Sequence, residues 1–108
     1  MFIDPEPAQV DASAALGADS VELHTGAYAN ATGPARDAEL ARLQAAASHT
    51  AQYSLALHAG HGLTAQNLAP IVALSGLREV NIGHDIIARA VFIGLDAAVK
   101  EILAALGQ

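Results

Sequence analysis

Four times along this chain a short segment with strand-like alternation gives way to a loop and then to a helical pattern. Linkers this short between strand and helix leave room only for right-handed crossovers, which predicts parallel strands in one sheet. The first unit opens on a stub, Phe2 to Asp4, and Asp4-Pro5-Glu6-Pro7 sets up a helix to Leu16 that closes at Gly17. Proline is tolerated in a first helical turn, acidic groups suit the dipole there, and glycine takes the conformation that ends a helix.

In the second unit Ser20 to His24 alternates, with Val21 and Leu23 on one face and Glu22 and His24 on the other. Thr25 to Pro34 is rich in Gly, Asn, Thr and Ala and reads as a long loop. A helix is expected from Ala35 to about Ala51, its apolar stripe carried by Leu40, Leu43 and alanines. The third unit has a strand over Ser54 to His58, a sharp turn at Ala59-Gly60-His61-Gly62-Leu63, and a helix capped by Thr64 that runs to about Leu74. In the fourth, Arg78 to Ile82 is a strand and Gly83-His84-Asp85 breaks into a short helix over Ile86 to Ile93. A last helix follows Gly94, from Asp96 to Leu106.

Four such units fit a small doubly wound sheet or half of a TIM (β/α)8 barrel. The chain has no GxGxxG fingerprint, which counts against a dinucleotide fold. An extra short helix after the last strand is a common phosphate-binding device of barrels and favours that reading. The fold expected is therefore α/β, residues 1–108 forming half of a TIM barrel with the extra phosphate-binding helix before the last helix. A whole barrel needs about 250 residues and this chain has 108, so other strands must complete it.

Composition narrows the partners. The chain is 53% apolar and carries a net charge of −6, with no basic stripe to follow a nucleic-acid backbone. The absence of cysteine excludes disulfides and thiolate chemistry. No apolar run reaches the roughly 18 residues of a membrane span, and Met1-Phe2-Ile3-Asp4 lacks the features of a signal peptide. A cytoplasmic protein with neither membrane nor nucleic-acid partner is the expectation.

In a barrel Glu22 and His24 project inward near the mouth where catalysis occurs. Glu22 is then either a functional carboxylate or an ion-paired member of a polar layer. His61 lies between two glycines just past a strand end, which frees the backbone to approach a ligand and leaves the imidazole at the mouth. His58 and His61 form an HxxH pair, but on a strand-to-loop segment that spacing does not put both rings on one face, and no metal is expected. His49, on the long helix, reads as a surface residue. Gly83-His84-Asp85 opens a helix whose free N–H groups favour phosphate, and Gly62 offers another N–H from the neighbouring loop. Gly83 also has a purely local reading, as the hinge of a tight strand-to-helix turn.

The segments Val21-Glu22-Leu23-His24-Thr25-Gly26, Ala59-Gly60-His61-Gly62-Leu63-Thr64 and Asn81-Ile82-Gly83-His84-Asp85-Ile86-Ile87-Ala88-Arg89-Ala90 resemble signatures of the pyridoxine phosphate synthases. Phe2-Ile3-Asp4-Pro5 and Gly26-Ala27-Tyr28-Ala29 are similar too, so the resemblance runs along essentially the whole chain. It implies that the four strands are the fifth to eighth of the barrel, the C-terminal half. It also implies condensation of 3-amino-2-oxopropyl phosphate with 1-deoxy-D-xylulose 5-phosphate to pyridoxine 5'-phosphate, phosphate and water, with no metal or organic cofactor. By the same resemblance Glu22 is the catalytic carboxylate that stabilises charged intermediates and His61 the proton donor of later steps. Gly62, Gly83 and His84 hold the amino-ketone phosphate.

Two departures accompany the likeness. The family's further catalytic His and Glu and its substrate-binding arginines belong to the N-terminal half, and His58 stands where the family's strand carries asparagine. The expected partners are therefore phosphorylated small molecules together with a missing N-terminal half-barrel or a second copy, and the isolated chain is expected to be inactive. The contrasting reading is a non-catalytic phosphate-binding or assembly subunit that kept a half-barrel fold.

Overall fold

In the computed structural model, which describes residues 1–107, four strands alternate with six helices. They are β1 (Phe2–Ile3), α1 (Pro7–Ala15), β2 (Ser20–His24), α2 (Gly26–Asn30), α3 (Gly33–Thr50), β3 (Ala56–Gly60), α4 (Ala69–Val72), β4 (Leu77–Asn81), α5 (His84–Ile93) and α6 (Leu95–Ala105). All neighbouring strands pair parallel, in the order β1-β2-β3-β4. Each crossover thus advances the sheet in the same direction, without the reversal that defines a doubly wound sheet. This α/β arrangement is compatible with part of a (β/α)8 barrel.

The alternation in β2 and β3 sorts the residues between two faces. Val21, Leu23, Leu57 and Ala59 are buried and pack with Val10, Leu43, Ala46, Leu68 and Ile71 from the helical layer. Burying a Val or Leu side chain contributes about 1.5–3 kcal/mol, so these few residues hold sheet and helices together. The other face is polar. Glu22, His24, His58, Glu79 and Asn81 stand on it, none of them fully buried.

Several sequence expectations shift, each for a local reason. β3 begins and ends two residues later than expected, at Ala56 and Gly60, because Gly60 is a strand residue here and not a breaker. Inside the expected loop Thr25 to Pro34 lies α2, with Tyr28 buried beneath it and its C-terminal carbonyls gripped by Arg36, whose Nε and Nη2 donate to Ala31 O (2.9 Å) and Ala29 O (3.1 Å). α4 occupies only Ala69–Val72 of the span expected from Thr64. Thr64 and Asn67 instead bond to each other's backbone N–H, at 2.8 and 3.3 Å, closing a turn of their own in place of a first helical turn. The extra helix is not short: α5 starts at His84 and has ten residues.

Among the described residues, no helix is long and apolar enough to cross a membrane. His49 is half-buried and tied to α1, its Nε2 lying 2.7 Å from Asp11 Oδ1. Tyr53 donates to the same carboxylate oxygen. These hydrogen bonds, that from Tyr53 first, hold the Asp11 pKa below its ordinary value, and the bonded carboxylate in turn raises that of Tyr53.

Candidate functional site

The middle of β2, the C-terminal end of β4 and the turns after β3 and β4 line a cavity of about 710 Å³. Glu22, His61, Gly62, Gly83 and His84 all border it, alongside Phe2, Leu63, Thr64, Asn81, Ile82, Asp85 and Ala88. The sheet topology gathers them, since parallel strands bring all their C-terminal loops to one edge.

Glu22 reaches sideways over the polar face. Its Oε1 accepts a hydrogen bond of 2.5 Å from Asn81 Nδ2, although β3 lies between their strands. Gly60 on β3 makes this reach possible, because a Cβ at that position would stand 2.5 Å from Glu22 Oε2 and 3.1 Å from the Asn81 carbonyl oxygen. The glycine serves as a gap through which a carboxylate lies flat on the sheet. His58, paired in register with both Glu22 and Glu79, puts its Nε2 3.0 Å from Glu79 and so forms an ion pair with it when protonated.

Just beyond, the chain turns through two residues of positive φ, His61 at 88° and Gly62 at 75°. For Gly62 this conformation carries no steric cost, but a side-chain-bearing residue there stores on the order of 1–3 kcal/mol of strain. The surroundings hold it. Buried Thr25 places its hydroxyl 2.8 Å from the Gly60 carbonyl and 2.6 Å from that of His61, one proton between two acceptors. Asn67 donates from Nδ2 to the Gly62 carbonyl at 3.1 Å, and its own carbonyl accepts from Tyr28 at 2.7 Å. The ring of His61 stacks on that of His24, with centroids 4.6 Å apart and planes 28° from parallel. Phe2 meets His24 edge-on at 5.0 Å, and His24 Nδ1 accepts from the Gly26 N–H at 3.0 Å.

Across the cavity Gly83 caps α5, and Ile87 N–H bonds back to its carbonyl at 3.0 Å. The next N–H groups of that first turn have no partner within the helix and mark its positive end. The cavity lining includes no Lys or Arg, and two carboxylates, Glu22 and Asp85, stand among the histidines. The groups along this edge that can donate to an anion are therefore backbone N–H groups and imidazoles.

His58 and His61 do not converge, the first engaged with Glu79 and the second with His24. Among the described residues no three His, Cys, Asp or Glu side chains come together as a metal site. Sequence reading missed Asn81, Thr25 and Asn67 as site-shaping residues. For Asn81 the signal was available: alternation along β4 sets it opposite Val80, on the face that Glu22 occupies. For Thr25 and Asn67 neither alternation nor spacing gave one, because the carbonyls of Gly60, His61 and Gly62 to which they donate are brought close only by folding.

Comparison with known proteins places the chain in a family. The family model described as "Pyridoxal phosphate biosynthesis protein PdxJ" matches residues 1–108. Among curated relatives, a pyridoxine 5'-phosphate synthase of Synechococcus sp. (strain JA-2-3B'a(2-13)) is 50% identical over 99% of this chain and 45% of its own length. Proteins of the same name from Magnetococcus marinus and Thioalkalivibrio sulfidiphilus are 52% and 49% identical, over 94% and 100% of this chain and 42% and 44% of theirs. The chain thus spans less than half the length of these relatives. Over the stretch it does span, it belongs to the PdxJ family of pyridoxal phosphate biosynthesis proteins.

Proposed function

We propose that this chain is one half of a pyridoxine 5'-phosphate synthase barrel and carries part of its active site. The observation that supports this most is the single cavity at the C-terminal sheet edge, bordered by Glu22, His61, Gly62, Gly83 and His84 together. Proteins sharing about half its residues bear that enzyme's name. The substrates are 3-amino-2-oxopropyl phosphate and 1-deoxy-D-xylulose 5-phosphate, joined to give pyridoxine 5'-phosphate, phosphate and water.

Several features support the half-barrel form. The strand order never reverses, one sheet face is polar and open, and among the described residues nothing pairs with the outer edges of β1 and β4. Apolar Ile87, Val91 and Phe92 on α5 are 64%, 79% and 82% exposed, a surface that single domains rarely leave bare. The missing strands come from the remainder of a longer polypeptide, from a second polypeptide or from a second copy.

In this reading Glu22 provides a fixed negative charge beside cationic intermediates. Its hydrogen bond from Asn81 keeps the carboxylate oriented before charge develops, so little reorganisation is needed during the reaction. His61, strained into the cavity rim, delivers a proton in the later steps, a contribution typically worth 10²–10⁴-fold in rate. The N–H groups at Gly62 and the start of α5, with the His84 imidazole, hold the phosphate of the amino ketone. The test is to graft residues 1–108 over the matching stretch of the Synechococcus relative and to compare Glu22→Gln and His61→Asn variants. Each is expected to lower kcat by about 10²–10⁴-fold.

A further inference from the structure

The ring stacked on His61 has no assigned part in the chemistry, and its surroundings are built in unusual detail. We propose that His24 is a positioning residue, fixing the plane of the His61 imidazole so that it meets the substrate in one orientation. This deepens the reading of His61 as proton donor and rests on it.

His61 is exposed, sits on a two-residue turn of positive φ and makes no side-chain hydrogen bond among the described residues. Left alone, such a ring rotates freely about its side-chain bonds, and proton transfer demands a defined direction. Among the described residues its one ring-to-ring neighbour is His24, at 4.6 Å. That ring is fixed on two further sides, by the Gly26 N–H on Nδ1 at 3.0 Å and by a T-shaped contact with Phe2 at 5.0 Å. The Gly26 bond makes Nδ1 the acceptor, so the neutral ring carries its proton on Nε2.

Gly26 supplies a second, independent observation. A Cβ there would fall 2.3 Å from His24 Cε1, 2.9 Å from His24 Nδ1 and 3.0 Å from His61 Cδ2. Both rings therefore occupy space that any other residue at position 26 would fill, and no positive φ requires the glycine. The chain gives up a side chain at this position to house the imidazole pair.

The proposal is tested by NMR of the His61 ring protons in the complete chain, and by kcat and KM in the grafted enzyme. The stack shifts those resonances upfield. His24→Ala is expected to remove the shift, His24→Phe to keep it, and Gly26→Ala to remove it by pushing the His24 ring aside without substituting either histidine. In the grafted enzyme His24→Ala lowers kcat by about ten- to hundred-fold with KM little changed, and His24→Phe recovers a large part of that loss. If His24→Ala does not fold, Gly26→Ala carries the same two readouts. Unchanged His61 resonances, or an unchanged kcat, in a folded variant that has lost the stack overturns the proposal. Should His61→Asn itself leave kcat intact, the proton-donor reading fails instead, and the resonances still report whether His24 orients the ring.

Discussion

The side-chain amide of Asn81 on β4 hydrogen-bonds the carboxylate of Glu22 on β2 across the whole width of β3, through the space that Gly60 leaves empty. Three strands thereby share one polar contact, and the smallest residue of the three sets its geometry.

Gly60→Ala is therefore expected to be costly although alanine suits a strand backbone. The new methyl meets both the Glu22 carboxylate and the Asn81 backbone oxygen, and overpacking of this kind costs about 1–3 kcal/mol. Urea denaturation should show the loss, and the grafted enzyme should lose activity with it. A variant as stable as the parent, with Glu22 unmoved, would contradict this account of the glycine.

Weak binding of inorganic phosphate is expected at Gly62, Gly83 and His84. Gly83 has open space around it and a φ of −125°, so Gly83→Val is expected to fold while its side chain obstructs the helix start. Phosphorus NMR titration should show phosphate binding to the parent chain and none to the variant. Equal affinity in both would place the anion elsewhere.

The staple between α1 and α3 gives a pH signature. Asp11 titrates below its ordinary 3.8 in the folded chain, so its stabilising effect is present above that value and is lost as the pH falls through the lowered one. Tyr53 is raised above 10.0, so its effect is present below pH 10 and is lost as the pH climbs through the raised value. The difference in Tm between the parent and Asp11→Ala should be largest at neutral pH and should shrink toward both extremes. A difference that is flat with pH would show that the staple contributes nothing.

Two open sheet edges and the bare apolar face of α5 predict that the isolated chain does not persist as a clean monomer. Native mass spectrometry at low micromolar concentration should find self-association, reduced in a Val91→Glu, Phe92→Glu double variant. A cooperative monomer that binds no hydrophobic dye would contradict the half-barrel form.

How far the sequence could be read depended on whether the governing contact was local. β2 was legible residue for residue, because the alternation of Val21, Glu22, Leu23 and His24 is itself the cause of the strand. β3 was misplaced by two residues because Gly60 looks like a breaker until a carboxylate from another strand is seen to occupy its missing side chain. α2 was hidden in the same way, since Gly26 and Asn30 are turn residues by habit and the clamp from Arg36 is a tertiary event. The five candidate site residues were reached through strand-end position and the family resemblance and meet at one cavity, whereas Asn81 and His24, though they lie in the same segments, act on other side chains, and those contacts appear only once the strands are paired.

If these residues form half of a pyridoxine 5'-phosphate synthase active site, they support turnover once the remaining strands are supplied. Residues 1–108 are grafted over the matching stretch of the Synechococcus relative, and pyridoxine 5'-phosphate formation from the two phosphorylated substrates is measured beside the chain alone. Product is expected from the graft, with nearly all of it lost on Glu22→Gln and none formed by the isolated chain. A folded graft that makes no product, or an isolated chain that turns over as fast as the graft, would contradict it.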